Sequence, residues 1–367
     1  MISLFKKTSK NHIGLDISPE GITMVFLKGE NENPSLKEYI YKPFQQQVYK
    51  NGYIENPQIL TEELKSIINE YKPESKETVI SIPGNVAFTK KITLPDLPYE
   101  ELKTIASQEA SKHLPFNANE LNVDFQILDA TRRPGEAGKL VDIALCAIPK
   151  AVVRNYLDVA FGAGLIVNAI DISPFAMIKA LANAELINDP EKTYISALID
   201  YANTDINVIQ NGMPVFSHSV QMGRKNIIEC IANNLTKKKE EVIELLPEVA
   251  LMIPGSEMDE NPDLNRASTA VKSIYSNISG EIQKAIEFFN SDRAEPIDIE
   301  TVILGGSGVC LQNIDKYVSN KLKIETCIFN PFTNLSEELQ NKENLLSPVN
   351  IPSFSTSTGL ALKELKN

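Results

Sequence analysis

The feature that most constrains this chain is a repeat. A short apolar strand ending in aspartate, followed by a turn and a second apolar strand, occurs at Gly14-Leu15-Asp16 and again at Leu198-Ile199-Asp200. In the first copy Ile13, Leu15 and Ile17 alternate, Pro19-Glu20-Gly21 turns the chain, and strands follow over 22–27 and 36–41. In the second, strands over 194–200, 205–210 and 213–218 are punctuated by Asn211-Gly212, a dipeptide that favours tight hairpins. A repeat separated by most of a domain predicts two related lobes, each built on a β-meander.

The segments between the copies define the organisation. Leu60, Leu64, Ile67 and Ile68 recur at helical spacing and predict a helix over 59–71, followed by a buried strand over 78–82. Residues 85–165 read as a separate α+β module: strand, Pro-rich corner, helix over 99–113, two strands flanking the polar loop Arg132-Arg133-Pro134-Gly135, and a closing helix. Asp171 is expected to start a helix running to 184. After the second meander, helices are predicted over 225–235, 239–246 and 266–290, then a strand over 301–304 and a last helix near 358–365. The expected division is a first lobe of 1–85 with 166–190, an inserted subdomain of 86–165, a second lobe of 191–225 with 296–367, and a helical subdomain of 226–295.

Composition removes several classes. With 36 Lys+Arg against 48 Asp+Glu, the net charge of -12 gives no general attraction to nucleic acid or anionic lipid. The most apolar stretch, 152–172, carries Arg154, Asp158 and Asp171, so no transmembrane helix is predicted. The residues 1–10 hold no signal-peptide core and are too short to anchor the chain alone. Four dispersed cysteines and three histidines give neither a disulfide framework nor zinc spacing, and fit a reducing cytoplasm.

Two strand-end aspartates facing each other across a cleft suit a nucleotide–Mg²⁺ site. Hard carboxylates hold metal-bound water while tight-turn amides cradle phosphate. Gly305-Gly306-Ser307-Gly308, after a predicted buried strand, lets backbone approach a ligand and is expected to open a helix. The same aspartates serve equally as turn formers, and the glycines as strand-to-helix punctuation.

The order of these elements resembles the actin/Hsp70 ATPase superfamily, and within it the type IV pilus assembly PilM family, relatives of the cell-division protein FtsA. The resemblance spans nearly the whole chain. It rests on Gly14 to Ile22, Leu94-Pro95, Leu114-Pro115-Phe116, Asp124, Asp171, Phe175-Ala176, Leu198-Ile199-Asp200, the helix around Ser279 to Phe289, Leu304 to Gly308, Asn330-Pro331-Phe332 and Gly359 to Lys363. It implies an α/β, two-lobed fold of the ribonuclease-H-like type with an FtsA-type insertion. It also implies ATP with Mg²⁺ held by Asp16, Ser18, Glu20, Gly21, Asp200, Ala202, Asn203, Thr204, Gly223, Gly305, Gly306 and Ser307, with Asp16 and Asp200 toward the metal.

Departures from the family pattern surround that ligand. Ser18 and Ala202 replace glycines, Pro19 removes an amide from the first turn, Gly223-Arg224 replaces a double glycine, and Ser173 replaces an acid. The helix predicted over 239–246 lacks the Ala-Glu and Lys found near adenine, reading Val242, Ile243 and Leu246. Together they predict a weakened or lost ATP site with no catalytic residue assigned. The resemblance implies a cytoplasmic scaffold at the inner membrane. Such a scaffold binds the N-terminal peptide of the membrane subunit PilN beside the inserted subdomain and links it to a pilus motor ATPase or platform protein. Pro83, Phe88 and Leu97, at corners of that subdomain, are the expected peptide contacts. The alternative is an active actin-fold ATPase or small-molecule kinase. A division protein would need an amphipathic C-terminal tail, whereas the sequence given stops at Asn367 after the Gly359 helix.

Overall fold

The computed structural model describes residues 11–29, 34–44, 48–50, 53–128, 140–291, 293–337 and 348–363. The loop Arg132 to Gly135, the first ten residues and the last four lie outside the described residues.

Each copy of the repeat nucleates a sheet. In the first, β1 (Asn11–Ile17), β2 (Gly21–Lys28) and β3 (Ser35–Pro43) form an antiparallel meander. On the other side of β1, β6 (Glu77–Ile82) and then β10 (Ile166–Ile172) add in parallel. In the second, β11 (Thr193–Ile199), β12 (Thr204–Gln210) and β13 (Met213–Val220) repeat the meander, and β14 (Ile299–Gly305) and β15 (Glu325–Ile328) add in parallel beside β11. The strand orders β10-β6-β1-β2-β3 and β13-β12-β11-β14-β15 therefore mirror each other element for element. A two-residue strand, β16 (Ser336–Glu337), returns from the second half to pair with β3. A small hairpin, β4 (Tyr49–Lys50) with β5 (Tyr53–Ile54), precedes the first helix.

Parallel strands need long crossovers, and helices supply them. Helices α1 (Pro57–Tyr71) and α3 (Lys150–Gly162) cover the outer face of the first sheet, with Leu60, Leu64, Val152 and Tyr156 buried against Ile13, Leu15 and Ile17. Helix α4 (Ser173–Asn183) and helix α9 (Ser355–Lys363) lie between the two sheets, packed on each other. Strand β1 alternates accordingly. Its isoleucines and Leu15 face α1 and α3, while Gly14 faces α9, where a side chain would run into the Ser357 carbonyl. Asp16, two residues on, shares the face of Gly14.

Against the second sheet pack α5 (Arg224–Leu235), α6 (Lys239–Leu245), α7 (Pro262–Asn290) and α8 (Ile314–Leu322). The 29 residues of α7 bury Leu264, Ala267, Val271, Tyr275, Ile278 and Ile282 at three- and four-residue intervals. Each fully buried Leu or Ile contributes about 1.5–3 kcal/mol, so this stripe fixes α7 to the sheet. The inserted module is a three-stranded antiparallel sheet in the order β7-β9-β8, built from β7 (Phe88–Pro95), β8 (Leu121–Ile127) and β9 (Leu140–Pro149) and backed by α2 (Tyr99–His113).

Several expectations from sequence are corrected. Asp171 does not start a helix; it lies in β10 and pairs with Ser81 of β6, and α4 begins at Ser173 because Pro174 suits only a first helical turn. Helix α7 begins four residues earlier than 266, where the Asn261 side chain accepts from the Asp263 amide at 3.0 Å. The glycine run does not open a helix, since α8 starts only at Ile314.

Candidate functional site

The two meanders bring their first turns together at one end of the inter-sheet space. Asp16, at the end of β1, is buried and accepts from the hydroxyls of Ser81 on β6 and Ser173 at the start of α4. Burial pushes its carboxyl up to about 6, and the two serines hold it back from rising further. Asp200 follows β11 and accepts from the backbone N–H of Ser307. Its carboxyl is pushed well above the ordinary range by burial, then by the charges of Asp16, Asp205 and Glu20.

The first turn consumes its own donors. The Ser18 amide donates to the Gly21 carbonyl at 2.9 Å. The Ser18 hydroxyl accepts from the amides of Glu20 at 3.2 Å and Gly21 at 3.3 Å, and Pro19 has no amide to offer. The second turn is tied through the Asp200 amide and through side chains. The Asp200 amide donates to Asn203 at 2.9 Å, the Asn203 side chain donates to Asp205 at 2.8 Å, and the Thr204 hydroxyl donates to Met222 at 2.7 Å. Ala202 sits half-buried at the tip.

Helix α5 starts against this turn. The amides of Arg224 and Lys225 donate to the carbonyls of Asp200 and Tyr201, each at 2.8 Å. Gly223 permits this approach, because a Cβ there would lie 2.3 Å from the Asp200 carbonyl oxygen. The glycine loop closes the far side. The Gly306 amide donates to Pro352 at 2.9 Å, the Gly308 amide to Ile199 at 2.7 Å, and the Tyr275 hydroxyl to the Gly308 carbonyl at 2.8 Å. Gly305 packs on Met177 and Ser355.

Across the space between the sheets, the Arg224 guanidinium donates to the Glu20 carboxylate. Their side chains are 9% and 10% exposed. Burial pushes the Glu20 carboxyl upward, while Arg224 first, and then hydrogen bonds from Ser307 and Tyr41, pull it down. A second approach lies beside it: Gly84 of the turn after β6 faces Asp205 of β12, whose carboxylate oxygens would be 2.7 Å from a Cβ at position 84.

The structure thus gathers Asp16, Glu20, Asp200, Gly223 and Gly305 to Ser307 around one point. Sequence reading missed Arg224, except as a lost glycine, and missed Ser81, Tyr41 and Asp205. It treated Ser173 only as a missing acid; its hydroxyl serves Asp16. The one sequence signal for Asp205 was a carboxylate interrupting an apolar strand directly after the hairpin. The expected peptide contacts lie elsewhere. Pro83 follows β6, while Phe88 and Leu97 are half-buried against the α2-facing core of the inserted module, Phe88 stacking on His113 with ring centroids 5.3 Å apart. Among the described residues no group of three or more His, Cys, Asp or Glu is arranged to hold a metal ion, and no helix is long and apolar enough to cross a membrane.

Two sheets of matching strand order with an aspartate turn at the same end of each, and two helices packed between, define a member of the actin-like ATPase fold class. Solved structures agree. The PilM-PilN type IV pilus biogenesis complex superposes with a TM-score of 0.83 at 20% identity, covering 98% of this chain and 100% of that one. The ethanolamine utilization protein EutJ from Carboxydothermus hydrogenoformans gives 0.56 at 14% identity over 99% and 92%. MreB 5 of Spiroplasma citri bound to AMPPNP gives 0.52 at 12% over 96% and 95%. The sequence profile described as "Type IV pilus assembly protein PilM" matches residues 14–365, and the chain belongs to that family.

Proposed function

We propose that this protein is a cytoplasmic actin-like scaffold of type IV pilus assembly. It binds the cytoplasmic N-terminal peptide of a PilN-type inner-membrane subunit and links it to the pilus motor or platform, reaching the membrane only through partners. Likeness to the PilM-PilN complex over essentially all of both chains is the observation that carries the partner. Under this reading the division into lobes, inserted subdomain and helical subdomain expected from sequence is the functional one.

The residues present fit Mg-ATP poorly. The amides of the first turn that would cradle phosphate are bonded within the protein, and Glu20, itself negative, is paired with Arg224. A phosphate there would have to displace a carboxylate from its partner. We therefore read the nucleotide site as weakened or lost, with negligible turnover.

The peptide docks in extended form beside the inserted module, with Pro83, Phe88 and Leu97 as half-buried apolar contacts. Completing the burial of one such side chain contributes roughly 1–3 kcal/mol. Phe88→Glu and Leu97→Glu should weaken peptide binding about tenfold in calorimetry. Normal melting together with normal affinity in both variants would place the groove elsewhere.

A further inference from the structure

We propose that the Glu20–Arg224 pair is a built-in latch between the two lobes, holding the aspartate turns closed on each other without a ligand. In a cleft of this architecture, a bound anion between the two turns is one way to bridge them. Here the anion is the chain's own carboxylate. Glu20 sits in the turn between β1 and β2, and Arg224 is the first residue of α5 on the other sheet. Nothing but the fold brings them together, since 204 residues separate them.

Three observations make the pair a latch rather than a surface contact. Both side chains are almost fully buried, and a buried pair that loses one partner leaves an uncompensated charge. Both ends are anchored: the Arg224 amide is fixed to the Asp200 carbonyl at 2.8 Å, and the Glu20 turn is cross-bonded through the Ser18 hydroxyl. Glu20 also bonds Ser307, a second residue from the opposite half, so one carboxylate holds both α5 and the glycine loop.

The latch reaches the inserted module. Gly84 abuts Asp205, and the chain enters β7 at Phe88 only four residues later. Strand β7 then runs against β13 of the second sheet, with an open crevice between them lined by Phe175, Ala144 and Phe216. Opening the latch would separate Gly84 from Asp205 and lift β7 off β13. The module that carries the proposed peptide groove is thereby set by a residue pair rather than by nucleotide. This inference rests on the proposed weakening of the nucleotide site.

Amide hydrogen exchange on the full chain tests it, with and without Mg-ATP, for the wild type, Arg224→Met, Glu20→Gln and the charge-swapped Glu20→Arg/Arg224→Glu. Either single variant should exchange about tenfold faster at 18–21, at the start of α5 and along β13, with the swapped pair partly restored. Wild-type exchange should not change with Mg-ATP. Unchanged exchange in both folded single variants would overturn the latch. Tight Mg-ATP binding by the wild type, with the single variants still opening, would overturn the reading of the nucleotide site and leave the latch standing.

Discussion

Gly359 of α9 lies so close to Ala176 of α4 that a Cβ at position 359 would stand 1.7 Å from the Ala176 carbonyl oxygen. The two helices between the sheets therefore meet backbone to backbone, and this contact sets how near the two halves approach. Any side chain here forces the helices apart, and overpacking a tight contact costs about 1–3 kcal/mol or more. Gly359→Ala should lower stability by at least about 3 kcal/mol in urea unfolding. Gly280→Ala is the control: it lies in α7, where an added methyl meets nothing within 4 Å, and should stabilise by about 0.5–1 kcal/mol. Equal effects at both positions would contradict the packing account.

Asp205 gives a pH dependence of definite sign. Burial pushes its carboxyl up to about 6, against hydrogen bonds from Ser219 and Asn203. A raised carboxyl favours the folded state while it is protonated. Stability from this group is intact below the ordinary carboxylate range near pH 4 and is lost as pH rises through about 6. Asp205→Asn keeps the shape and an acceptor for Asn203 but carries no charge. Its unfolding free energy should match the wild type near pH 4, rise above it between about pH 4 and 6, and keep a constant lead of about 3 kcal/mol above that. A lead that is the same at every pH would contradict the assignment.

The first turn can be re-opened chemically. Ser18→Gly releases the amides of Glu20 and Gly21, and Glu20→Gln removes the carboxylate that holds Arg224, leaving the guanidinium for phosphate. A hydrogen bond to a charged group is worth about 1.5–3 kcal/mol, so the double variant should bind Mg-ATP about tenfold tighter than wild type in displacement of a fluorescent nucleotide. A double variant no better than wild type would show that the turn donors are not what weakens the site.

The parts of this architecture that were legible in sequence are those with a strong local period. The two meanders and α2 stand where alternation and helical spacing place them. Strand β10 was missed because it lies at a sheet edge, with Ile166 exposed, so its burial does not alternate cleanly. Pro174 was the signal that the helix starts later. Helix α8 and strand β15 are short, at nine and four residues, and carry little periodic signal. The candidate site was legible as a set of turns but not as a network. Arg224 reads as a missing glycine until the fold sets it beside Glu20, and the donors that Ser18 consumes are invisible without the turn geometry.

The proposed scaffold holds its partner without nucleotide. The most direct test is calorimetric titration of the purified full chain with a synthetic peptide of the PilN-type subunit's cytoplasmic N-terminus, with and without Mg-ATP. Saturable binding is expected, with dissociation constants that agree within about twofold in the two conditions. Binding that appears only with Mg-ATP, or no binding in either condition, would contradict it.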